Sequence, residues 1–451
     1  MNFVFENIRH YRNLESGENK NNAYSERVTA APFYNFTRLL LHSDEKRFEN
    51  EIKYFSFRKK PSKYIILVGT HNDPHNWGGG ELSEFENYHS IFDDINKTYL
   101  NDLRDRNAFL VFDNSLEGFH EDWVFNFLHH ECNRYSIPPN QIIYITGNLL
   151  VEKQYDSWLE NNKQVEKIYP ISFAYFEPDV YNFSMDLESL KEAGETKELP
   201  TFKEQLEYKT KNFESIKLFS FLNFKPRLHR VHMYKLLFLN NLLNKGLVSM
   251  EHFGAHNNDW GADSSNTFCG HTFSEEFNKE IKKTLPSRIY GRENTNNDGG
   301  YLVRRFHPQL NLDTWIHVIS ETYFYDEYET LFISEKTFKA IACSQPFIIF
   351  GNKGSLQELK KLGYKTFDKW WDESYDELSD CDRMNAIIKI LQDIDKIENK
   401  LDWFKSMEDV LNHNKNILQK NSIETLPNAY KKIKSIYELN LLNFPKLPNV
   451  I

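Results

Sequence analysis

The sequence has few cysteines and no long apolar run. Its four cysteines in 451 residues lie far apart and form no Cys-x-x-Cys pair; they are Cys132, Cys269, Cys343 and Cys381. This spacing indicates neither a zinc site nor a disulfide framework, so we expect reduced, structural thiols. No run of about 18 apolar residues predicts a membrane span, and charged residues follow Met1–Glu6 too closely for a secretory signal. These absences favour a cytoplasmic protein.

Several common motifs are also missing. The sequence contains no GxxxxGK[ST], no GxGxxG and no HExxH, and no Asp-x-Asp pair stands in a metal-binding context. We therefore predict neither a metal site nor a bound cofactor. The net charge of -10 argues against general electrostatic capture of nucleic acid or anionic lipid, although one local basic surface remains compatible with it.

What the sequence does contain is an alternation of buried strands and helices. Its length predicts two or three domains. Short β-branched runs predict strands at residues 64–69, 108–113, 141–148, 217–222, 315–320 and 346–351. Amphipathic patterns predict helices at 121–134, 150–161, 229–244, 334–343 and 354–362, and a helical end from 383 to about 420. Such alternation is typical of parallel sheets in an α/β fold.

The charged stretch 184–211 lacks apolar strands and is interpreted as an insertion or connection near a domain boundary. We accordingly predict one domain over residues 1–215, a second over 216–425, and a tail over 426–451.

The strongest candidate for a binding site is the stretch from Phe332 to Gly351. Ser334 stands where a helix should begin, and Glu335 and Lys336 fall in its first turn. A helix start at the carboxyl edge of a parallel sheet favours a diphosphate, Lys336 adds a cation, and a carboxylate such as Glu335 can accept from two ribose hydroxyls. An ordinary acidic first turn, which stabilises any helix, is an equally supported interpretation.

Two further groups of charged residues follow predicted strands. Lys225, Arg227 and Arg230 lie in a loop that leads into a helix, where arginines suit bidentate phosphate contact. A solvated basic turn is the alternative. Glu321 ends an otherwise apolar strand, which favours a place at the mouth of a site over one in a core. An exposed strand end is the alternative there.

Candidate acid and base groups follow the strands of the first half. They are His71, Asp73, Glu81, Asp113, Asn114 and Glu117. Deprotonation of an acceptor hydroxyl requires a carboxylate or histidine. Each of these residues, taken alone, is interpreted more readily as structural.

The segments Val318–Thr322, Phe332–Ile341 and Gln345–Gly351 together resemble the donor-binding half of GT-B glycosyltransferases. The likeness is greatest to the α1,3-fucosyltransferase type, in which a Glu-Lys pair opens a helix and a proline-led strand follows. The continuation through Gly354–Leu356 and Gly363–Phe367 is similar to a set of phage and bacterial proteins. The resemblance covers residues 216–395 well and 60–180 only in general pattern. The membrane anchor and stem typical of the Golgi enzymes are absent.

The resemblance implies two Rossmann-like domains that face each other across a cleft. It implies that Glu335 holds the donor ribose and that Lys336, with Arg227 or Arg230, holds the diphosphate. It further implies a carboxylate base from the first domain, for which Glu117 is the first choice and Asp113 the second.

We thus expect an inverting, metal-independent transfer of a sugar from a nucleotide diphosphate to a hydroxyl acceptor. Neither the sugar nor the nucleotide follows from the resemblance. One alternative is a phage-type transferase that acts on hydroxymethylated DNA bases, which would need a basic face on the first domain. Another is a non-catalytic nucleotide- or carbohydrate-binding protein.

Overall fold

A computed structural model describes most of the chain from residue 90 onward and shorter parts before it. The described residues are 2–5, 53–56, 60–69, 90–118, 122–163, 165–185, 199–223, 225–252, 267–269, 271–287, 289, 306 and 308–442. The chain divides into two compact units. Unit 1 comprises Met1–Tyr175 together with Ile423–Ile451, and unit 2 comprises Phe176–Ser422. The predicted boundaries after residues 215 and 425 differ from this division.

Unit 1 is built on a parallel sheet of six strands. The strands are β1 (Asn2–Phe5), β2 (Lys53–Ser56), β3 (Tyr64–Gly69), β4 (Ala108–Asn114), β5 (Ile142–Thr146) and β6 (Tyr169–Ser172). Their order across the sheet is β2-β1-β3-β4-β5-β6, and every pair is parallel. The helices between them are α1 (Lys97–Arg104), α2 (Asp122–Tyr135) and α3 (Val151–Asn161). All seven residues of β4 are buried, as expected of a central strand covered on both faces.

Unit 2 is built on a smaller parallel sheet. Its strands are β7 (Lys217–Leu222), β8 (Gly246–Ser249), β11 (Thr314–Ser320) and β12 (Phe347–Phe350), and a separate hairpin pairs β9 (Thr267–Phe268) with β10 (His271–Thr272). Its helices are α4 (Phe176–Met185), α5 (Phe202–Lys211), α6 (Leu228–Leu239), α7 (Glu275–Lys283), α8 (Pro308–Leu312), α9 (Glu335–Ala342), α10 (Ser355–Lys361), α11 (Asp380–Asp395) and α12 (Lys400–Lys405).

The strand order of this sheet is β12-β11-β7-β8. From β7 the chain passes to β8 on one side and later to β11 on the other. The order therefore reverses between β7 and β11, and ligands of open α/β sheets bind at such a reversal. The predicted α/β class is confirmed, with a parallel sheet in each unit and a helical carboxyl-terminal end.

The long helix α13 (Glu408–Leu442) corrects the predicted tail. The helix passes through Pro427 and continues to residue 442, and its second part belongs to unit 1. There the ring of Tyr437 packs 5.7 Å from that of Phe109, and Lys432 pairs with Glu152 at 3.2 Å. Among the described helices, none is long and apolar enough to cross a membrane.

The stretch interpreted as an insertion, residues 184–211, instead supplies packing helices where it is described. Thr201 caps α5 through a reciprocal bond with Glu204. The Gln205 amide donates to the Cys343 carbonyl at 2.6 Å, and the Lys209 ammonium donates to the carbonyls of Asn311 and Thr314 at 2.5 and 2.8 Å. The charged residues therefore secure α5 against the sheet of unit 2.

The prediction of four reduced cysteines is wrong for two of them. Cys269, next to β9, and Cys381, in the first turn of α11, form a disulfide with a Cα–Cα distance of 5.0 Å. They are 112 residues apart in sequence, so only the folded chain brings them together. Cys132 and Cys343 are not disulfide-bonded and are buried, as expected of structural thiols.

Candidate functional site

The predicted donor residues converge at the carboxyl edge of the sheet of unit 2. Arg227 and Arg230 begin α6, which follows β7, while Ser334, Glu335 and Lys336 begin α9, which follows β11. The two strands are neighbours. Because carboxyl ends of parallel strands meet at one edge, both helix starts lie beside the reversal of strand order.

Glu321 organises the start of α9. Its side chain is completely buried, so it does not lie at the mouth of a site as predicted. Its carboxylate accepts from the Ser334 hydroxyl at 2.5 Å, from the Ser334 amide at 3.3 Å, and from the Thr337 hydroxyl at 2.6 Å. A buried carboxylate is costly unless its oxygens are bonded, and here both are. Glu321 therefore fixes the helix start that carries Glu335 and Lys336.

Gly351 makes room for this carboxylate. A Cβ atom at position 351 would stand 3.0 Å from the Cβ of Glu321 and 3.1 Å from its Cγ. A side chain at this position would therefore force Glu321 to shift by a few tenths of an ångström.

The first turn of α9 holds alternating charges. Ser334 caps the helix by accepting from the Lys336 amide, and the Lys336 ammonium lies 3.0 Å from the Ser334 hydroxyl and 3.3 Å from the Glu335 carboxylate. Burial alone would raise the pKa of Glu335, but Lys336 and Lys339 hold it below its ordinary value. Burial lowers the pKa of Lys339 to about 8, although Glu335 opposes that shift. Glu335 is therefore an ionised, half-buried carboxylate.

Arg227 and Arg230 are held by backbone carbonyls. The Arg227 guanidinium donates to the Thr322 carbonyl at 2.7 Å. That of Arg230 donates to the carbonyls of Glu321 and Lys225 at 3.2 and 3.3 Å. In the part of the chain that the structure describes, neither guanidinium forms an ion pair. The carbonyl contacts thus fix the positions of both guanidiniums, and no described carboxylate contacts either of them.

The pKa values near α6 reflect this crowding of cations. Burial, together with Arg227, lowers the pKa of Arg230 to about 9. Burial, together with the two arginines, lowers the pKa of His229 well below its ordinary value, so that the imidazole is neutral. Its Nε2 lies 3.3 Å from the Glu321 carbonyl. The start of α6 is therefore a buried cationic environment, and an anion would relieve the repulsion between its guanidiniums.

The loop after β11 is secured from its far end. The Arg383 guanidinium, in α11, donates to the Phe324 carbonyl at 2.8 Å and to the Asp326 carboxylate at 2.9 Å. The Tyr325 hydroxyl lies 3.3 Å from His232 Nδ1 in α6. Sequence reasoning did not identify these contacts or that of Thr337. The Thr337 hydroxyl, three residues after the cap, was the one local signal available.

The side chain of Lys225 is exposed, in contrast to the two arginines. Its carbonyl accepts from the Arg227 amide at 2.9 Å and from the Arg230 guanidinium. Lys225 thus helps to hold the two arginines through its backbone carbonyl and not through its ammonium group.

The base candidates of unit 1 divide into two groups. Asp113 and Asn114, at the end of β4, are completely buried, and the Asp113 carboxylate accepts from the Ser115 amide at 3.1 Å. Glu117 is half-buried, and its carbonyl accepts from the Gly147 amide at 2.8 Å. His71, Asp73 and Glu81 lie outside the described residues. Within the described ranges, no group of three or more histidine, cysteine, aspartate or glutamate side chains could hold a metal ion.

Comparison with known proteins gives fold likenesses alone. No protein-family model matches the chain, and no curated protein sequence is similar to it. An α,α-trehalose 6-phosphate synthase from Burkholderia multivorans is similar in structure over 85% of this chain and 72% of its own, with 10% identity and a TM-score of 0.42. The N-terminal domain of a Candida albicans trehalose-6-phosphate phosphatase is similar in structure over 97% of this chain and 96% of its own, with 8% identity and a TM-score of 0.38. At these values neither likeness bears on the activity of this chain.

Proposed function

We propose that the protein is a glycosyltransferase of the GT-B type whose unit 2 binds a nucleotide diphosphate sugar. One observation carries the proposal. Two fixed guanidiniums, Arg227 and Arg230, lack a carboxylate partner among the described residues and lie beside the Glu335–Lys336 pair at the strand-order reversal. Guanidiniums suit the oxygens of a diphosphate, and an ionised carboxylate suits adjacent ribose hydroxyls.

The roles of these residues follow from their charges. Arg227, Arg230 and Lys336 neutralise the diphosphate, and Glu335 accepts from the ribose. Glu321 and Ser334, which we had expected to contact the donor, act as positioning residues because their polar atoms bond to one another. The exposed Lys225 is assigned no contact.

The reaction we propose is a single displacement at the anomeric carbon. The acceptor oxygen forms a bond to that carbon while the bond to the diphosphate oxygen breaks, so configuration inverts and the nucleoside diphosphate leaves. The acceptor proton passes to a carboxylate base. Glu117 suits this role better than Asp113, because the Asp113 side chain is completely buried and bonded to Ser115. The cations stabilise the charge that develops on the leaving group without a metal ion.

A thermal-shift screen with UDP-, GDP-, CMP- and dTDP-sugars tests the donor site. A ligand at one hundred times its dissociation constant adds about 2.7 kcal/mol to the free energy of unfolding, and we expect one nucleotide class to raise the melting temperature by several degrees. The same class should then show donor hydrolysis or transfer.

The matched variants are Glu335→Ala, which should abolish the shift, and Glu327→Ala, which removes an exposed carboxylate from the nearby loop and should preserve it. A wild-type protein that no nucleotide sugar stabilises would remove the proposal. Donor binding without hydrolysis or transfer would indicate a non-catalytic binding protein instead.

A further inference from the structure

The two helix starts at this edge use their amide groups differently. In α9 the Ser334 hydroxyl accepts from the Lys336 amide, so part of the first turn is already bonded. The twelve-residue helix α6 begins at Leu228, and the preceding N-cap residue, Arg227, provides no side-chain cap. Because the first amides of a helix have no partner within it, α6 offers donors that α9 has partly used.

The charged side chains also favour an anion at the start of α6 over one at the start of α9. Near the start of α9 the Glu335 carboxylate offsets the ammonium groups of Lys336 and Lys339, and Glu335 and Glu321 also act on Arg230 from beyond contact distance. The first turn of α6 contains no acidic residue and is flanked by Arg227 and Arg230. An anion is therefore favoured at α6, where the helix dipole and two guanidiniums act together.

A third observation is independent of the helix. Asn223, directly after β7, is 5% exposed, and neither its Oδ1 nor its Nδ2 has a hydrogen-bond partner among the described residues. Its backbone is fixed, because its amide donates to the Ser249 carbonyl at 3.1 Å. An unbonded amide inside a protein is unfavourable, and a bound ligand that satisfied it would remove that cost.

The side chain of Asn223 lies on the α6 side of the sheet. Side chains alternate along a strand, so Asn223 shares a face with Phe221. Phe221 packs against Phe350, and Phe350 packs 5.6 Å from His229 in the first turn of α6. Within the part of the chain that the structure describes, the hydroxyl of Ser320, which ends β11, and Nε of Arg230 are also buried without a hydrogen-bond partner.

We propose that Asn223 and Arg230, at the start of α6, contact the diphosphate of the donor directly, while Lys336 adds its charge from the first turn of α9. The inference rests on the proposed function and adds Asn223 to the site. Asn223 Nδ2 and Arg230 Nε donate to phosphate oxygens. Asn223 Oδ1 accepts from a hydroxyl of the adjoining sugar.

Titration calorimetry of the full chain with inorganic pyrophosphate tests this assignment. Asn223→Asp keeps the shape of the side chain but places a negative charge at the anion, so we expect at least a 30-fold loss of affinity. Asn223→Ala removes one hydrogen bond to a charged group, for which we expect roughly a 10-fold loss. Asn240→Ala is the control at the opposite end of α6, where the Asn240 amide donates to the Leu236 carbonyl, and it should change the affinity less than about twofold.

Several results would overturn the inference. One such result is that pyrophosphate at millimolar concentration does not bind the wild type. An unchanged affinity in a folded Asn223→Ala protein would also overturn it, since an internal water would then satisfy the amide. Melting temperatures of all variants identify any that fail to fold, and Asn223→Ala decides the question if Asn223→Asp is among them.

The failure of this inference differs from a failure of the proposed function. If the wild type transfers sugar and Asn223→Ala does so with an unchanged KM for the donor, only the contact assigned to Asn223 fails. If pyrophosphate binding depends on Asn223 but no nucleotide sugar is bound or consumed, the anion site is supported and the transferase proposal fails.

Discussion

Replacement of Glu321 by alanine removes the acceptor for three hydrogen bonds inside unit 2. The bonds come from the amide and hydroxyl of Ser334 and from the hydroxyl of Thr337, and all three donors are left buried. A hydrogen bond to a charged group contributes about 1.5–3 kcal/mol, and neighbouring bonds are not additive. Three bonds at the lower figure would contribute about 4.5 kcal/mol, and because they are not fully additive we expect the free energy of unfolding to fall by about 4 kcal/mol.

Chemical denaturation followed by circular dichroism measures this loss. Glu321→Gln keeps the volume, and the hydroxyls of Ser334 and Thr337 can rotate to accept from its new N–H group. The Ser334 amide can still donate to the oxygen that glutamine keeps, but the bonds are no longer to a charged group, so we expect about half the loss. Glu327→Ala serves as the control, because this carboxylate is exposed in the same loop and surface changes usually fall within about 0.5 kcal/mol. Equal midpoints for Glu321→Ala and Glu327→Ala would refute the view that Glu321 fixes the start of α9.

Three more predictions concern the site and its surroundings. Arg230→Lys should weaken binding of the donor identified in the screen by at least 10-fold. The planar guanidinium can donate to two carbonyls and a phosphate at once, and the lysine ammonium cannot reproduce that geometry. Equal affinities of the two proteins in calorimetry would contradict this prediction. The lowered pKa of Glu335 means that its carboxylate stabilises the fold above the ordinary pKa of 4.5 and loses that effect as the pH falls through its lower folded value. Acid denaturation of Glu335→Gln should therefore show a weaker dependence on pH below 4.5 than the wild type, and identical curves would argue against the charge pairing. Thiol titration of the unfolded, unreduced protein should find two thiols rather than four, and Cys381→Ser should lower the free energy of unfolding by about 2–4 kcal/mol.

The features that the sequence predicted correctly depend on nearby residues. The helix predicted from Ser334 begins at Glu335 with Ser334 as its cap, because capping and apolar spacing are read within one or two turns. The strand expected at residues 64–69 is observed at Tyr64–Gly69 for the same reason. Local patterns thus sufficed to place Ser334, Glu335 and Lys336 together.

The features that the sequence did not predict depend on distant residues. Glu321 was expected at a site mouth because charges rarely lie in cores, and its burial is possible only with donors 13 and 16 residues away. The pairing of Cys269 with Cys381 spans 112 residues. Pro427 normally indicates a helix end, yet α13 continues past it where Tyr430 and Ile433 are buried.

The division of unit 1 between two parts of the chain has a consequence for synthesis. A ribosome releases Phe176–Ser422 entirely before the segment that begins at Ile423. All residues of unit 2 are therefore synthesised before the last part of unit 1. Unit 1 has its strands by then, but the ring of Phe109 gains its neighbour Tyr437 only after the helix segment that carries it has emerged. The unit synthesised first is thus the unit whose packing is completed last.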